Sequence, residues 1–448
     1  MKKKFAVGVI IAMAIAICIS ACGNDKKVKT VKKVKAVQTE NESEVNDKIN
    51  TESKVEDVNK SFGAYDMTKR ILPKVYIDCS DEPSKEQYCD ASVKIIDESG
   101  QYENNEKNSA KIKIRGNSTA NAHKKPYNIK FSDKQNILGM GKSKKWCLLA
   151  NAFDPTMLRN ALALELARKT RLQYTPASTF VELYCNGEYK GVYYMTNPVN
   201  TGKDKVDIDV KKKDYLIELE TRLDDNENII MTPVLKLRFE VEEGNMADLT
   251  YLNDFLEKFE KSISGGYKEV TKYIDWDSFV DYYVIGELLK DVDFATSSTY
   301  FYIKDNKMYA GPVWDYDLSM GNASEIYPYY VNSDTTKDST TEFYCNKFWY
   351  FYINQIPEFQ RDVKARFAAL QPVFENMTTD NELGPNRIDA YCSVYKDAFA
   401  RNYTIWNVAD ANSGGEKTPL PSYEENVEFL RQWIQKRNEW LKEQWLVE

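Results

Sequence analysis

The stretch that decides the reading of this 448-residue chain is "AGPVWDYDLSMGN", residues 310–322. It sets Asp315 and Asp317 on either side of Tyr316, after an apolar strand-like run and just before a glycine. Two carboxylates at a strand end repel each other unless a cation or a set of donors compensates them. On its own the pair could simply cap a turn, with the tyrosine in the core. The rest of the chain has to decide.

Immediately upstream, "STYFYIKDNKMYAGPVWDYD" reads as a hairpin turning at Asp305-Asn306. Before it, "IDWDSFVDYYVIGELLKDVD" (274–293) predicts a helix ending near Lys290, which leaves Asp291 and Asp293 just beyond its end. "MADLTYLNDFLEKFEKSI" predicts an amphipathic helix, "KDYLIELETR" and "VLKLRFEVEE" predict strands, and the last hundred residues read as helical. Residues 71–131 are β-rich: "KVYIDCS", "ASVKIIDES" and "AKIKIRG" alternate apolar with polar residues. "RGNSTAN" (115–121) is a turn cluster, and "PYNIKFS" returns as a strand with Lys130 pointing away from Ile129 and Phe131. A helix is expected over 156–172 after the start signal Asp154-Pro155-Thr156, and "STFVELYCNGEYKGVYYMTN" is a hairpin turning at Asn186-Gly187. "KSKK" (142–145) reads as a solvated basic turn. The layout is α+β in two lobes, a β-rich half over 64–204 and a mainly helical half over 205–448.

The N-terminus addresses location. "MKKKFAVGVIIAMAIAICISAC" has a basic start, a short apolar run and a small-residue junction, as secretory signal peptides do. Ile19-Ser20-Ala21-Cys22 resembles the bacterial lipobox, which implies removal of residues 1–21, lipidation of Cys22 and anchoring on the outer face of the cell membrane. Residues 22–63 are polar and rich in Lys, Glu, Asn and Asp, a composition that cannot bury a core and reads as a tether, polybasic in its first part. Residues 1–35 hold nine lysines and one aspartate, so the rest is more acidic than the net −7 of the whole chain. That balance argues against general nucleic-acid binding.

Residue counts remove other chemistries. The one histidine, His123, rules out a multi-histidine zinc centre and leaves any Ser-His or Cys-His nucleophile a single place to be. No C-x-x-C pair occurs. Cys79 and Cys89, ten apart, could pair in an oxidising exterior, and Cys147, Cys185, Cys345 and Cys392 lie in apolar surroundings. Catalysis, where present, falls to carboxylates, lysine and a hard metal ion. Phosphoryl transfer uses such a set: a cation for the phosphates, an acid to fix it, an aspartate to orient the attacking hydroxyl, and carboxylates for Mg²⁺.

"IKIRGNSTANAHKKPYNIKF", "LGMGKSKKWCLLANAFDPTMLRNALALELAR", "FVELYCNGEYKGVYYMTN" and "GPVWDYDLSMGN" resemble, in order, successive blocks of the CotH family, the spore-coat protein H-like relatives of protein kinases. The resemblance runs from about Leu72 to the C-terminal helix. It implies an atypical protein-kinase fold that transfers the ATP γ-phosphate to Ser or Thr of a surface or secreted protein, with Mg²⁺ or Mn²⁺. It also implies Lys130 as the phosphate-contacting lysine, and Arg115, Asn117 and Ser118 as the phosphate-facing turn. Asp293 is implied as the catalytic aspartate, Asp315 as metal ligand with Asp317 in support, and Glu165 as the partner of Lys130, with Glu218 and Glu182 as other acids placed to serve. The chain departs from the family pattern at Thr196-Asn197-Pro198, where "TEQ" is common, and at Asp291, where an asparagine is usual; Asp291 could add a second metal ligand. Two other readings stay open, a kinase-related surface module that binds protein or glycan without catalysis, and a metal-dependent carboxylate hydrolase.

Overall fold

The computed structural model describes residues 71–222, 227–323, 338–408 and 419–447. The leader 1–21, Cys22 and the tether 22–63 lie outside the described residues. No helix among those described is long and apolar enough to cross a membrane.

The alternating segments form seven strands: β1 (Lys74–Cys79), β2 (Cys89–Ile96), β3 (Asn105–Ile114), β4 (Tyr127–Asn136), β5 (Lys142–Leu149), β6 (Ser178–Cys185) and β7 (Glu188–Thr196). They pair in the order β1-β2-β3-β4-β5-β7-β6, and β6 returns parallel to β1 to close a barrel. The period of two sends Val75, Val93, Ile112, Ile129, Trp146 and Leu148 into the barrel interior. The expected turn at 142–145 is instead the start of β5, with Ser143 buried between exposed lysines. Asn186 and Gly187 have φ of +49° and +79°, as a two-residue hairpin turn requires.

Further along, β8 (Tyr215–Leu219), β9 (Ile229–Met231), β10 (Arg238–Glu243), β11 (Thr299–Lys304) and β12 (Lys307–Ala310) form an antiparallel sheet in the order β12-β11-β8-β10-β9. The helices are α1 (Arg159–Ala167), α2 (Thr250–Ile263), α3 (Tyr267–Val270), α4 (Trp276–Leu289), α5 (Phe348–Ile353), α6 (Pro357–Ala369), α7 (Gln371–Asn376), α8 (Arg387–Val394), α9 (Lys396–Asn402) and α10 (Tyr423–Trp445).

The α+β class holds, but the two-lobed kinase-like arrangement does not. The N-terminal strands make a closed barrel rather than an open lobe sheet, and the later half carries a five-stranded sheet of its own. One hydrophobic core runs from the outer face of the barrel (Leu149, Phe180, Tyr194) through α1 to β8, β11, α4 and α10. That shared core joins the barrel to the later sheet and helices. Helix α1 shows this directly, since all of its residues except Glu165 are buried.

Buried ion pairs fix the joints that lead to the site. At the C-terminal end of α4, Glu287 meets Arg437 of α10 at 3.0 Å, both fully buried, and accepts the N–H groups of Tyr344 and Cys345 at 2.7 Å each. The helix then stops at Lys290, whose φ of +45° turns the chain into Asp291-Val292-Asp293.

Candidate active site

After β12 the "WDYD" segment leaves the sheet as an irregular loop held from behind by the start of α1. Asp154 and Arg159, each 1% exposed, pair at 2.6 Å, and Asp154 also caps the helix by accepting the N–H groups of Thr156 and Arg159. The Arg159 guanidinium then donates to the carbonyls of Ser319 and Met320, at 3.0 and 3.3 Å. Asn160 Oδ1 accepts the Tyr316 N–H at 2.8 Å, and Asn322 Nδ2 donates to the Asp317 carbonyl at 2.7 Å. Asp315 adopts a left-handed φ of +65°, and Trp314 and Tyr316 on either side of it are buried. The tyrosine does lie in the core, as the turn-cap reading expects, while both flanking aspartates line a cavity.

That cavity holds about 280 Å³. One wall is the turn Arg115-Gly116-Asn117-Ser118 after β3, another is the acidic face of β8 and β10, and the floor carries Asp293, Asp315 and Asp317. Gly116 has φ +86°, and a Cβ there would lie 2.0 Å from Thr119 Oγ1, so the turn admits only glycine without shifting. The Arg115 guanidinium lies over the Trp314 ring, 5.5 Å from its centroid, joining the turn to the "WDYD" loop. Register sets Glu240 of β10 opposite Glu218 of β8, and Glu220 and Glu242 also line the cavity. Arg222 is the cation among them, 3.6 Å from Glu220, 3.5 Å from Asp293 Oδ1 and hydrogen-bonded to Ser297.

The electrostatics follow from burying so many acids together. Glu218 is pushed up to about 8, first by burial and then by Glu242 and Glu220, although it accepts the Ser298 N–H at 2.7 Å. Burial and Glu240 likewise raise Glu242, while the Lys145 charge favours its ionised form. Asp291 is held well above the usual carboxylate range by burial and by the charges of Asp293, Asp315 and Asp317. Its Oδ1 is buried with no hydrogen-bond partner. Among the described residues no three His, Cys, Asp or Glu side chains form a ready-made metal cage.

Of the residues named from sequence, Arg115, Asn117, Ser118, Asp293, Asp315 and Asp317 come together in the cavity, with Asp291 buried behind them. Lys130 lies elsewhere, exposed on the outer face of β4 between Lys111 and Lys145 in register, and among the described residues no lysine lines the cavity. Glu165 faces another groove, bonded to Tyr391 at 2.8 Å and paired with Arg387. Glu182 is occupied by Tyr189 and Arg401, whereas Glu218 does reach the cavity. Asn197 is buried outside the lining, with Nδ2 donating to the Met140 carbonyl. Reading along the chain missed Arg222, Glu220, Glu240 and Glu242. The spacing of two in "LIELE" and "FEVEE" was the available signal for the glutamates, because it aligns each pair on one strand face.

A family model described as CotH kinase protein matches residues 112–441. No curated protein matches the chain.

Proposed function

Because the chain belongs to the CotH kinase protein family, we propose that it transfers the γ-phosphoryl group of ATP to a serine or threonine hydroxyl of a protein, in a reaction that depends on Mg²⁺ or Mn²⁺. One observation carries the reading: Asp293, Asp315 and Asp317 share a cavity with the Arg115-Gly116-Asn117-Ser118 turn. Carboxylates on one side and a cationic, amide-rich turn on the other suit a polyphosphate that brings its own cation.

A divalent metal fits this donor set. Mg²⁺ is commonly held by one or two carboxylates, with waters and substrate phosphates completing its shell, so a full protein cage is not required. Asp315 and Asp317 would hold it, and the unpartnered Asp291 Oδ1 behind them marks a place short of positive charge. When bound, the ion supplies positive charge against the phosphate oxygens.

The protein's own residues do the remaining work. The Arg115 guanidinium, steadied on Trp314, holds phosphate oxygens, and the Asn117 and Ser118 side chains add donors. Asp293 orients the acceptor hydroxyl and takes its proton as the oxygen attacks phosphorus. Arg222, 3.5 Å from Asp293 Oδ1, helps aim that carboxylate. The volume is at the low end for small-molecule sites, which suits the phosphate end of a nucleotide rather than all of it. The lipobox-like Cys22 and the tether behind it favour an extracytoplasmic setting, with a surface or secreted protein as phosphoacceptor.

A second reading, a binding module that has lost transfer, is favoured by the position of Lys130 outside the cavity. Calorimetric titration of the full chain with ATP, with and without Mg²⁺ or Mn²⁺ and beside Asp315→Ala, tests the nucleotide site. Metal-dependent binding that Asp315→Ala abolishes supports it, and folded protein that binds no ATP with either metal refutes it. Binding without phosphate transfer to any protein would favour the second reading.

A further inference from the structure

Cys79 ends β1 and Cys185 ends β6, the two parallel strands that close the barrel, and their Sγ atoms lie 3.7 Å apart. The surrounding backbone holds them there. Ile77 is the register partner of Cys185, the Asn186 N–H donates to the Ile77 carbonyl at 2.8 Å, and Asn186 Oδ1 accepts the Cys79 N–H at 2.7 Å. The tight turn after β6 is therefore latched onto the end of β1. A disulfide needs its sulfurs at about 2.05 Å, so bond formation requires a further approach of the two strand ends.

Cys89, the partner suggested by sequence spacing, also reaches the Cys79 thiol, but its hydrogen bond ranks below that of Cys185 among the influences on Cys79. Its thiol faces the carbonyl oxygens of Asp81 and Ile112, at 3.6 and 3.5 Å. The Cys185 thiol is drawn below its usual range, first by its hydrogen bond with Cys79 and also by the Lys190 charge, against the effect of burial. The same hydrogen bond and burial raise the Cys79 thiol, so of the two Cys185 is the more readily ionised.

We propose that Cys79 and Cys185 are an oxidative modification site, a disulfide that bolts the β1–β6 seam of the barrel. The reaction is exchange with an external low-molecular-weight disulfide. One protein thiolate attacks a sulfur of that disulfide and expels one thiol, leaving a mixed disulfide. The second protein thiol gives its proton to water and attacks the protein sulfur of the mixed disulfide, expelling the other thiol. Two protein thiols are oxidised to one S–S bond while the external disulfide is reduced to two thiols. The bond would close a loop carrying β2 to β5 and α1, and so restrict the unfolded chain. Neither cysteine lines the acidic cavity, so the inference stands apart from the kinase reading.

The full chain, equilibrated with oxidised glutathione, alkylated and digested without reductant, should give a Cys79–Cys185 cross-linked peptide with Cys89 alkylated. Its denaturant midpoint should be higher oxidised than after dithiothreitol. That difference should persist in Cys89→Ser and disappear in Cys185→Ser, each variant being compared only with itself. A Cys79–Cys89 link overturns the proposal. So does a stable glutathione adduct with no internal bond, or a midpoint difference that survives Cys185→Ser.

Discussion

Asn160, the second residue of α1, accepts the backbone N–H of Tyr316 through its side-chain oxygen at 2.8 Å. This contact ties a helix embedded in the core to the residue between the two aspartates, and it works alongside the Arg159 bonds to the carbonyls of Ser319 and Met320. The spacing of the carboxylates in the cavity is thus set from α1, whose Asn160 itself lines the cavity. Removing the acceptor strands a buried N–H. Asn160→Ala should cost about 1–3 kcal/mol of stability and weaken metal-dependent ATP binding by roughly tenfold, about 1.4 kcal/mol. Denaturant unfolding and calorimetry on the same sample check both. Unchanged ATP affinity with lowered stability would mean that the loop keeps its shape without this anchor.

The lysine implied by family resemblance and the arginine that lines the cavity make opposite predictions. Lys130 is exposed on the barrel exterior, while Arg115 is held over Trp314 at the cavity wall. Lys130→Ala should leave ATP affinity within about threefold of wild type, below 1 kcal/mol. Arg115→Ala should lower it by at least roughly tenfold, because a charge-assisted phosphate contact is lost. The reverse order would show that Lys130 reaches the nucleotide.

These contrasts show what can be read along the chain. Both two-residue turns, Asn186-Gly187 and Asp305-Asn306, are where residue type places them, because left-handed φ favours few residues. The inward set Val75, Ile129 and Trp146 follows from alternation. Alternation does not reveal closure, since an open sheet and a barrel share it and the deciding β1–β6 pair joins segments about a hundred residues apart. Unseen strand pairing also hid Glu240 and Glu242. Each strand shows its acidic face, but only the β8–β10 register brings Glu240 opposite Glu218. That Lys130 points outward was legible, whereas which outward face meets the cavity depends on the closed barrel.

Lys124 gives the fold a pH dependence of its own. It is buried where β7 meets α9, donating to the Val192 carbonyl and to Asn402 Oδ1, and lies 4.7 Å from the Tyr193 ring centroid. Burial lowers it from 10.5 to about 7. Between those values the unfolded chain holds a proton that the folded chain has released, so stability rises with pH across the window and is lost as pH falls through about 7. One such group contributes up to about 1.4 kcal/mol per pH unit. Lys290, also lowered to about 7, adds to the same trend, while Glu218 at about 8 opposes it, since its stabilising proton is lost as pH rises from its ordinary 4.5 through 8. The difference between wild type and Lys124→Met isolates the lysine. Unfolding free energies from pH 7 to 9 should rise less steeply in the variant, by close to one proton, and parallel curves would show Lys124 charged throughout.

Gly321, four residues past Asp317 at the end of the "WDYD" segment, tests whether loop shape or loop charge governs the site. It has φ +77°, and a Cβ there would lie 2.4 Å from Trp433 Cδ1 and 2.6 Å from its Nε1, with Trp433 on the buried face of α10. Gly321→Ala therefore meets two separate penalties. The left-handed backbone costs about 1–2 kcal/mol, and the clash must be relieved by moving either an indole packed in the core or the loop. Trp433→Ala alone should cost about 3–5 kcal/mol through the cavity it leaves. If the clash is real, the two substitutions are not additive, and the double variant should be more stable than the sum of single effects predicts by at least about 0.5 kcal/mol. What remains unrelieved is the backbone term. ATP binding then separates the loop's roles: if the indole yields, Gly321→Ala keeps its metal-dependent affinity, and if the loop yields, affinity falls although every carboxylate is still present. Strict additivity in the cycle would show that Gly321 is required for its φ alone.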